Sequence, residues 1–114
     1  MPLFFSEHFK KQLKRLKKKY PQVKRDLLKI IEGFNPKNEI SIGRSIYKIR
    51  IPSKDMHKGK SGGFRAYLYF YIRKDLLLPL CIYAKSDMGT LTENQLQHHF
   101  DQTIQEVATL ITMR

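Results

Sequence analysis

The 114-residue chain has a single cysteine, ten acidic residues against 22 Lys and Arg, and no long apolar run. The lone thiol, Cys81, excludes an internal disulfide and points to a reducing compartment. Even "LLLPLCIYA" at 76–84 falls short of the roughly 20 residues a bilayer span requires and is broken by Pro79. The opening "MPLFF" is too short for the apolar core of a secretory leader, and Glu7 follows almost at once. Together these absences predict a soluble cytoplasmic protein with no membrane association.

The shortage of acids excludes further chemistry. Asp55, Asp75 and Asp87 are scattered, so no carboxylate cluster is available to hold two metal ions for a nuclease. The histidines at 8, 57, 98 and 99 show no metal-ligand spacing, and adjacent His98 and His99 diverge on a helix, so neither a metal nor another cofactor is expected. Cys81 has no histidine near it in sequence to activate it and reads as a strand filler. The phosphate-binding GxxxxGK[ST] spacing is missing, as are repeats and low-complexity segments.

What remains is strongly basic. A net charge of +12 and a pI near 10.0 point to nucleic acid, an anionic surface or an acidic protein as partner. The length predicts one domain over residues 1–114. Residues 3–5, "LFF", suit a short strand, and Ser6 caps a helix whose buried face is Phe9, Leu13, Leu16 and Tyr20. The opposite face, Lys10, Lys11, Lys14, Arg15, Lys17 and Lys18, reads as solvated surface. Pro21 opens a second helix with Val23, Leu27, Ile30, Ile31 and Phe34 inward, ended by Gly33 and "NP" at 35–36. A last helix follows a capping box at Thr90 and Glu93, with Leu96, Phe100, Ile104, Val107 and Ile111 inward.

Between the helices the period falls to two. Runs 45–51, 64–73 and 78–85 alternate as strands, with Pro79 able to shift the third by a bulge. The expected fold is α+β, a small antiparallel sheet with the helices packed on one face, in the order β-α-α-β-β-β-α. Ile49, Ile51, Phe64, Ala66, Leu68, Phe70, Leu80 and Ile82 then form the core. The other face collects Lys48, Arg50, Arg65, Tyr67, Tyr69, Tyr83 and Lys85, cations interleaved with aromatics as single-stranded RNA binding requires. The loop between the first two strands adds Lys54, Lys58 and Lys60, and Gly59, Gly62 and Gly63 allow backbone amides and charge to approach a phosphate together.

The stretch "YKIRIPSKDMHKGKSGGFR" at 47–65, followed by "IYAKSD" at 82–87, resembles the RelE/HigB superfamily of type II toxin-antitoxin toxins, the HigB-like branch in particular. The resemblance covers residues 3 to about 100. It implies a RelE-like fold and a ribosome-dependent endoribonuclease that cuts messenger RNA in the decoding site. It also implies a cognate antitoxin, a helix-turn-helix DNA-binding protein that neutralises the toxin and carries it to operator DNA. Carried over residue by residue, it implies catalytic roles for Lys48, Arg50, Arg65 and Lys85; where some members have an arginine, this chain has Ser86.

Metal-free RNA cleavage proceeds by attack of the 2′-hydroxyl on the adjacent phosphate, giving a 2′,3′-cyclic phosphate and a free 5′-hydroxyl. Fixed cations act where negative charge develops on the non-bridging oxygens. Arg65, with a planar fork, suits that role; Lys48, pushed towards neutrality by Arg50 and Lys85, suits the base, and Lys85 or Tyr83 the acid. Two other readings use the same fold: a ParE-like toxin that acts on DNA gyrase and cleaves nothing, and a non-catalytic RNA-binding module.

Overall fold

A computed structural model describes residues 1–56 and 62–112, with side chains as far as residue 110. Lys58 and Lys60 of the glycine-rich loop, and the side chain of Ile111, lie outside the described residues. The architecture is α+β: helix α1 (Glu7–Lys19), helix α2 (Val23–Glu32), strands β1 (Ile46–Ile51), β2 (Phe64–Tyr71) and β3 (Leu76–Ala84), and helix α3 (Glu93–Thr112). The strands form one antiparallel sheet in the order β1-β2-β3. No helix among the described residues is long and apolar enough to cross a membrane.

Helix α1 starts where Ser6 Oγ accepts a hydrogen bond from the Phe9 amide, 3.0 Å, as its capping chemistry predicts. Two more amides at that terminus, of Glu7 and His8, donate to the Glu106 carboxylate of α3 at 2.7 and 3.1 Å, so an acid from the far end of the chain meets the positive end of the dipole. Phe9, Leu13 and Tyr20 are buried, as is Val23 with Leu27 on α2. The outer face of α1 sets Lys10, Lys14 and Lys18, and also Lys11, Arg15 and Lys19, at four-residue spacing. Each like-charged neighbour pair costs about 0.2–0.5 kcal/mol. Among the described residues the one ion pair is Lys10 with Glu7, 3.3 Å and exposed.

Each face of the sheet has its own apolar cluster. Tyr47, Ile49 and Ile51 of β1, Phe64, Ala66 and Leu68 of β2, and Leu77, Ile82 and Ala84 of β3 pack against α1 and α2. On the reverse face Ile46, Tyr67, Leu80, Cys81 and Tyr83 pack with Leu96, joined by Tyr69, Leu91 and Phe100. The expectation that all helices share one face therefore fails for α3. The reason lies in β2, whose reverse face carries Tyr67 and Tyr69: their rings present too much apolar area to leave in water, and the α3 stripe covers them. Tyr69 meets Phe100 edge-on with ring centres 5.0 Å apart.

Pro79 does coincide with a change of register. Tyr67 pairs with Cys81 but Leu68 pairs with Pro79, so β3 carries one extra residue at Leu80. Leu80, placed by strict alternation in the core under α1 and α2, instead joins the cluster under α3. The α3 capping box also sits two residues later than expected. Thr92 Oγ1 accepts from the Gln95 amide, 3.1 Å, while Gln95 Oε1 accepts from the Thr92 amide, 2.9 Å. Leu91 and Leu96 flank this box in one apolar cluster, the arrangement of a hydrophobic staple.

The N-terminal "LFF" makes a single parallel bridge, Leu3 to Leu77, with the Phe4 amide on Leu77 O at 3.0 Å and the Leu77 amide on Pro2 O at 2.9 Å; it is not a strand of the sheet. Helix α1 begins too soon for that pairing to extend. Further along, Gln12 of α1 takes the place of a neighbouring strand: its Nε2 donates to Leu80 O, 3.3 Å, and its Oε1 accepts from the Ile82 amide, 3.1 Å. One carboxamide thus satisfies a donor and an acceptor on the β3 edge, which would otherwise be a template for pairing with another chain.

Gly63 closes the connection into β2 with φ at +69°, and a Cβ there would stand 2.2 Å from Ile51 O. Gly63→Ala is therefore expected to destabilise the fold by at least the 1–3 kcal/mol typical of a strained backbone, with displacement of the β1–β2 junction in addition. Urea denaturation followed by circular dichroism measures it; an unchanged midpoint would contradict this geometry.

Candidate nucleic-acid interface

The β1–β2–β3 register arranges the reverse face in rows. One row is Arg50, Arg65 and Tyr83; the next is Lys48, Tyr67 and Cys81; the third is Ile46, Tyr69 and Leu78. Lys85 follows β3, its amide donating to Gly63 O at 3.0 Å. The four basic residues singled out in the sequence thus lie at one end of one face. Helix α3 and the turn before it cover the other end. The boundary is marked by Lys48 Nζ, which donates to Thr90 Oγ1 at 3.5 Å and stands 5.8 Å from the centre of the Tyr67 ring.

Exposure divides this set. Lys48, Arg50 and Lys85 are exposed. Arg65 is 5% exposed, Tyr67 2% and Tyr83 8%, and Tyr69 is half-buried. Alternation correctly turns these side chains away from the α1–α2 core, but Tyr67, Tyr69 and Tyr83 join the cluster under α3, and Arg65 is buried at the loop edge. Tyr67 and Tyr83 stack on each other, ring centres 6.5 Å apart, and form the floor beneath the cations. Neither ring offers an open side to a nucleic-acid base. The Tyr83 hydroxyl donates to Gly89 O at 2.7 Å, and burial, then the neighbouring Tyr67, push its pKa up, so its proton is already committed. Cys81 is buried beside them and its thiol pKa is pushed up to about 12 by burial, consistent with a filler.

Arg65 is the centre of the arrangement. Its Nη1 donates to Gly62 O at 2.7 Å and to Phe64 O at 3.2 Å, so the guanidinium is locked to the loop end of β2. Arg50 stands directly across from it in the β1–β2 register. Like charges directly opposed on a sheet cost rather than stabilise, by about 0.2–1 kcal/mol, and no ion pair among the described residues neutralises this one. The loop itself leaves β1 towards α2: the Lys54 amide donates to the buried Asp26 carboxylate at 3.1 Å, and Asp55 accepts from the Gln22 amide at 2.7 Å. Lys54 thus has an anchored backbone and an exposed side chain.

Sequence reading missed a histidine cluster. His8 of α1 and His99 of α3 are joined by a 2.7 Å hydrogen bond between Nε2 and Nδ1, and the His98 ring lies 5.8 Å from the His8 ring. They line an open groove of about 610 Å³ with Gln12, Arg15, Lys19, Tyr83 and Asp87, which shares Tyr83 with the basic patch but none of its four cations. A separation of 91 residues hid the pair. Among the described residues no group of His, Cys, Asp and Glu could hold a metal ion. Burial first, then the neighbouring histidines, hold His99 down at about 4; burial and His98 likewise lower His8 against the opposing Glu106.

No family model matches the chain, and no curated protein matches it.

Two outcomes follow from these contacts. Because the folded state lowers both imidazole pKa values, their neutral-form contribution to stability is complete above about pH 6.5 and is lost as pH falls towards 4. Urea midpoints should drop between pH 7.5 and 5.0, and His99→Gln should flatten that drop. Arg65→Ala removes the two carbonyl partners' donor from a buried site, with an expected loss of about 1–3 kcal/mol, whereas Arg50→Ala on the exposed strand face should stay within about 0.5 kcal/mol. Thermal melting of the two variants checks the contrast.

Proposed function

We propose that the chain is a toxin of the RelE/HigB superfamily, with the RelE-like arrangement in which the N-terminal bridge stands for a first strand, and that it is a metal-independent endoribonuclease acting on ribosome-bound messenger RNA. A cognate antitoxin would neutralise it and carry it to operator DNA. The observation that carries this reading is the row of Arg50 and Arg65 in direct cross-strand opposition, with Lys48 in the next row and Lys85 beside Gly63. Four cations gathered without acidic partners among the described residues make a site that a polyanion completes. The patch runs across the end of the sheet from Lys48 and Arg50 of β1 through Arg65 of β2 to Lys85 after β3.

In the proposed reaction Lys48 accepts the proton of the 2′-hydroxyl as that oxygen attacks phosphorus. Arg65 and Arg50 stabilise the charge on the non-bridging oxygens, and the Lys85 ammonium gives a proton to the departing 5′-oxygen. The products are a 2′,3′-cyclic phosphate and a 5′-hydroxyl. Lys85 takes the acid role because the Tyr83 hydroxyl is bound to Gly89 O. Tyr67 and Tyr83 support the cations from below, and Lys54 is the described loop lysine that would add a phosphate contact.

Induction of the chain alone is expected to arrest translation, with new 5′ ends in messenger RNA at ribosome-occupied positions. Intact transcripts alongside broken chromosomes would support action on gyrase instead. Lys48→Ala should lower single-turnover cleavage on programmed ribosomes by about 10²–10⁴ with little change in melting temperature. Binding to single-stranded RNA should weaken with salt, with a log–log slope near −3.5 for about five neutralised phosphates. A slope near zero would exclude a phosphate-reading surface.

A further inference from the structure

We infer that Gly62 is a positioning residue: the absence of a side chain there lets Lys85 and Arg65 converge on one phosphate. The inference rests on the proposed ribonuclease site and concerns a residue to which that site gives no role of its own. A Cβ built on Gly62 would stand 2.7 Å from Lys85 Cδ and 3.3 Å from Arg65 Nη2. The two side chains therefore flank the same small space from opposite strands. The third tie is the Gly62 carbonyl, which accepts from Arg65 Nη1 at 2.7 Å and turns Nη2 towards that space. Lys85 is fixed at its backbone, through Gly63 O, and its stem is free to follow the open path over residue 62.

This is a different need from that of its neighbour. Gly63 has a left-handed backbone and its missing Cβ avoids a carbonyl, so the fold itself requires glycine there. Gly62 lies outside the left-handed region, and its Cβ would meet most closely the flexible stem of an exposed lysine, with Arg65 Nη2 next at 3.3 Å. Alanine at 62 is thus compatible with the fold and incompatible with the present place of Lys85. Restoring an ordinary carbon–carbon separation of about 3.5–4.0 Å moves that stem by about 1 Å. A displacement of about 1 Å at a reacting group can cost on the order of 10²-fold in rate. Gathering two cations over a bare backbone has no evident folding benefit, since like charges brought together repel. It does suit a bound anion, which a Cβ would keep at a distance.

The test is a double-mutant cycle of Gly62→Ala and Lys85→Ala, measured by single-turnover cleavage on programmed ribosomes with thermal melting of every variant. Gly62→Ala should melt at or slightly above the wild-type temperature and react about 10–100-fold more slowly at saturating ribosomes, the loss falling on kcat more than on KM. Placed in a Lys85→Ala background it should cause little further loss, because the group through which it acts is gone. A wild-type rate for folded Gly62→Ala, or full additivity of the two changes, overturns the inference. Should the wild-type protein cleave nothing on ribosomes, the ribonuclease reading fails, and the same cycle read through equilibrium binding of a ten-nucleotide single-stranded RNA decides Gly62 separately. Coupling between the two positions then sustains its role in anion placement, and its absence removes it.

Discussion

The antiparallel pairing of β2 with β3, with its one extra residue at Leu80, governs the rest of the molecule. Strand faces alternate with a period of two, so a single inserted residue reverses the facing of everything on one side of it relative to the other. Leu77 at one end of β3 and Ile82 with Ala84 at the other all reach the same core under α1 and α2 because the bulge lies between them. The same shift delivers Cys81 and Tyr83 beside Tyr67, building the floor on which the cations stand. Without it, either the core or the floor would be lost.

That floor also shows how much of the molecule the sequence discloses. Helix faces follow from spacing alone: Phe9, Leu13 and Tyr20, or Leu96 and Val107, are buried as their period requires. Alternation likewise sorts Lys48 and Arg50 from Ile49 and Ile51. A periodic stripe reports that a face is buried and says nothing about which surface buries it, so the docking of α3 on the tyrosine face is not legible. Burial of Arg65 escapes as well, because alternation gives the face it points to and not the Gly62 and Phe64 carbonyls that hold it there. The position of the bulge is marked by Pro79, but its sense depends on partners in β2. The capping box invites error because Thr90 and Thr92 both precede an acceptor at the right distance, and only the helix start decides between them. Contacts between residues 8 and 99, or between 12 and 80, join distant parts of the chain by single side chains and leave no periodic trace.

Electrostatics and packing meet on the reverse face in a graded way. At the Ile46–Tyr69–Leu78 row apolar surface dominates and α3 seals it; at the Arg50–Arg65–Tyr83 row charge dominates and the outer strand stays open. Arg65 belongs to both regimes, buried by its surroundings yet held by two backbone carbonyls at the loop edge. A guanidinium held by neutral carbonyls keeps a charge that pairing to a carboxylate would have cancelled. The chain has few acids, and two of them are used elsewhere: Asp26 holds the Lys54 amide, and Glu106 the first amides of α1.

The substitution of Gln12 for a neighbouring strand has a consequence for the order of events during synthesis. Its hydrogen-bond partners, Leu80 and Ile82, lie 68 and 70 residues further along the chain. At roughly 5–20 residues per second, about 4–14 s separate the emergence of this glutamine from that of the strand it seals. During that interval α1 is an amphipathic helix with Phe9 and Leu13 uncovered and a dense cationic face, while its like-charged neighbours oppose its persistence as an isolated helix. Docking of β3 is thus the step that commits the N-terminal segment, and the sheet edge closes only when the last strand has arrived.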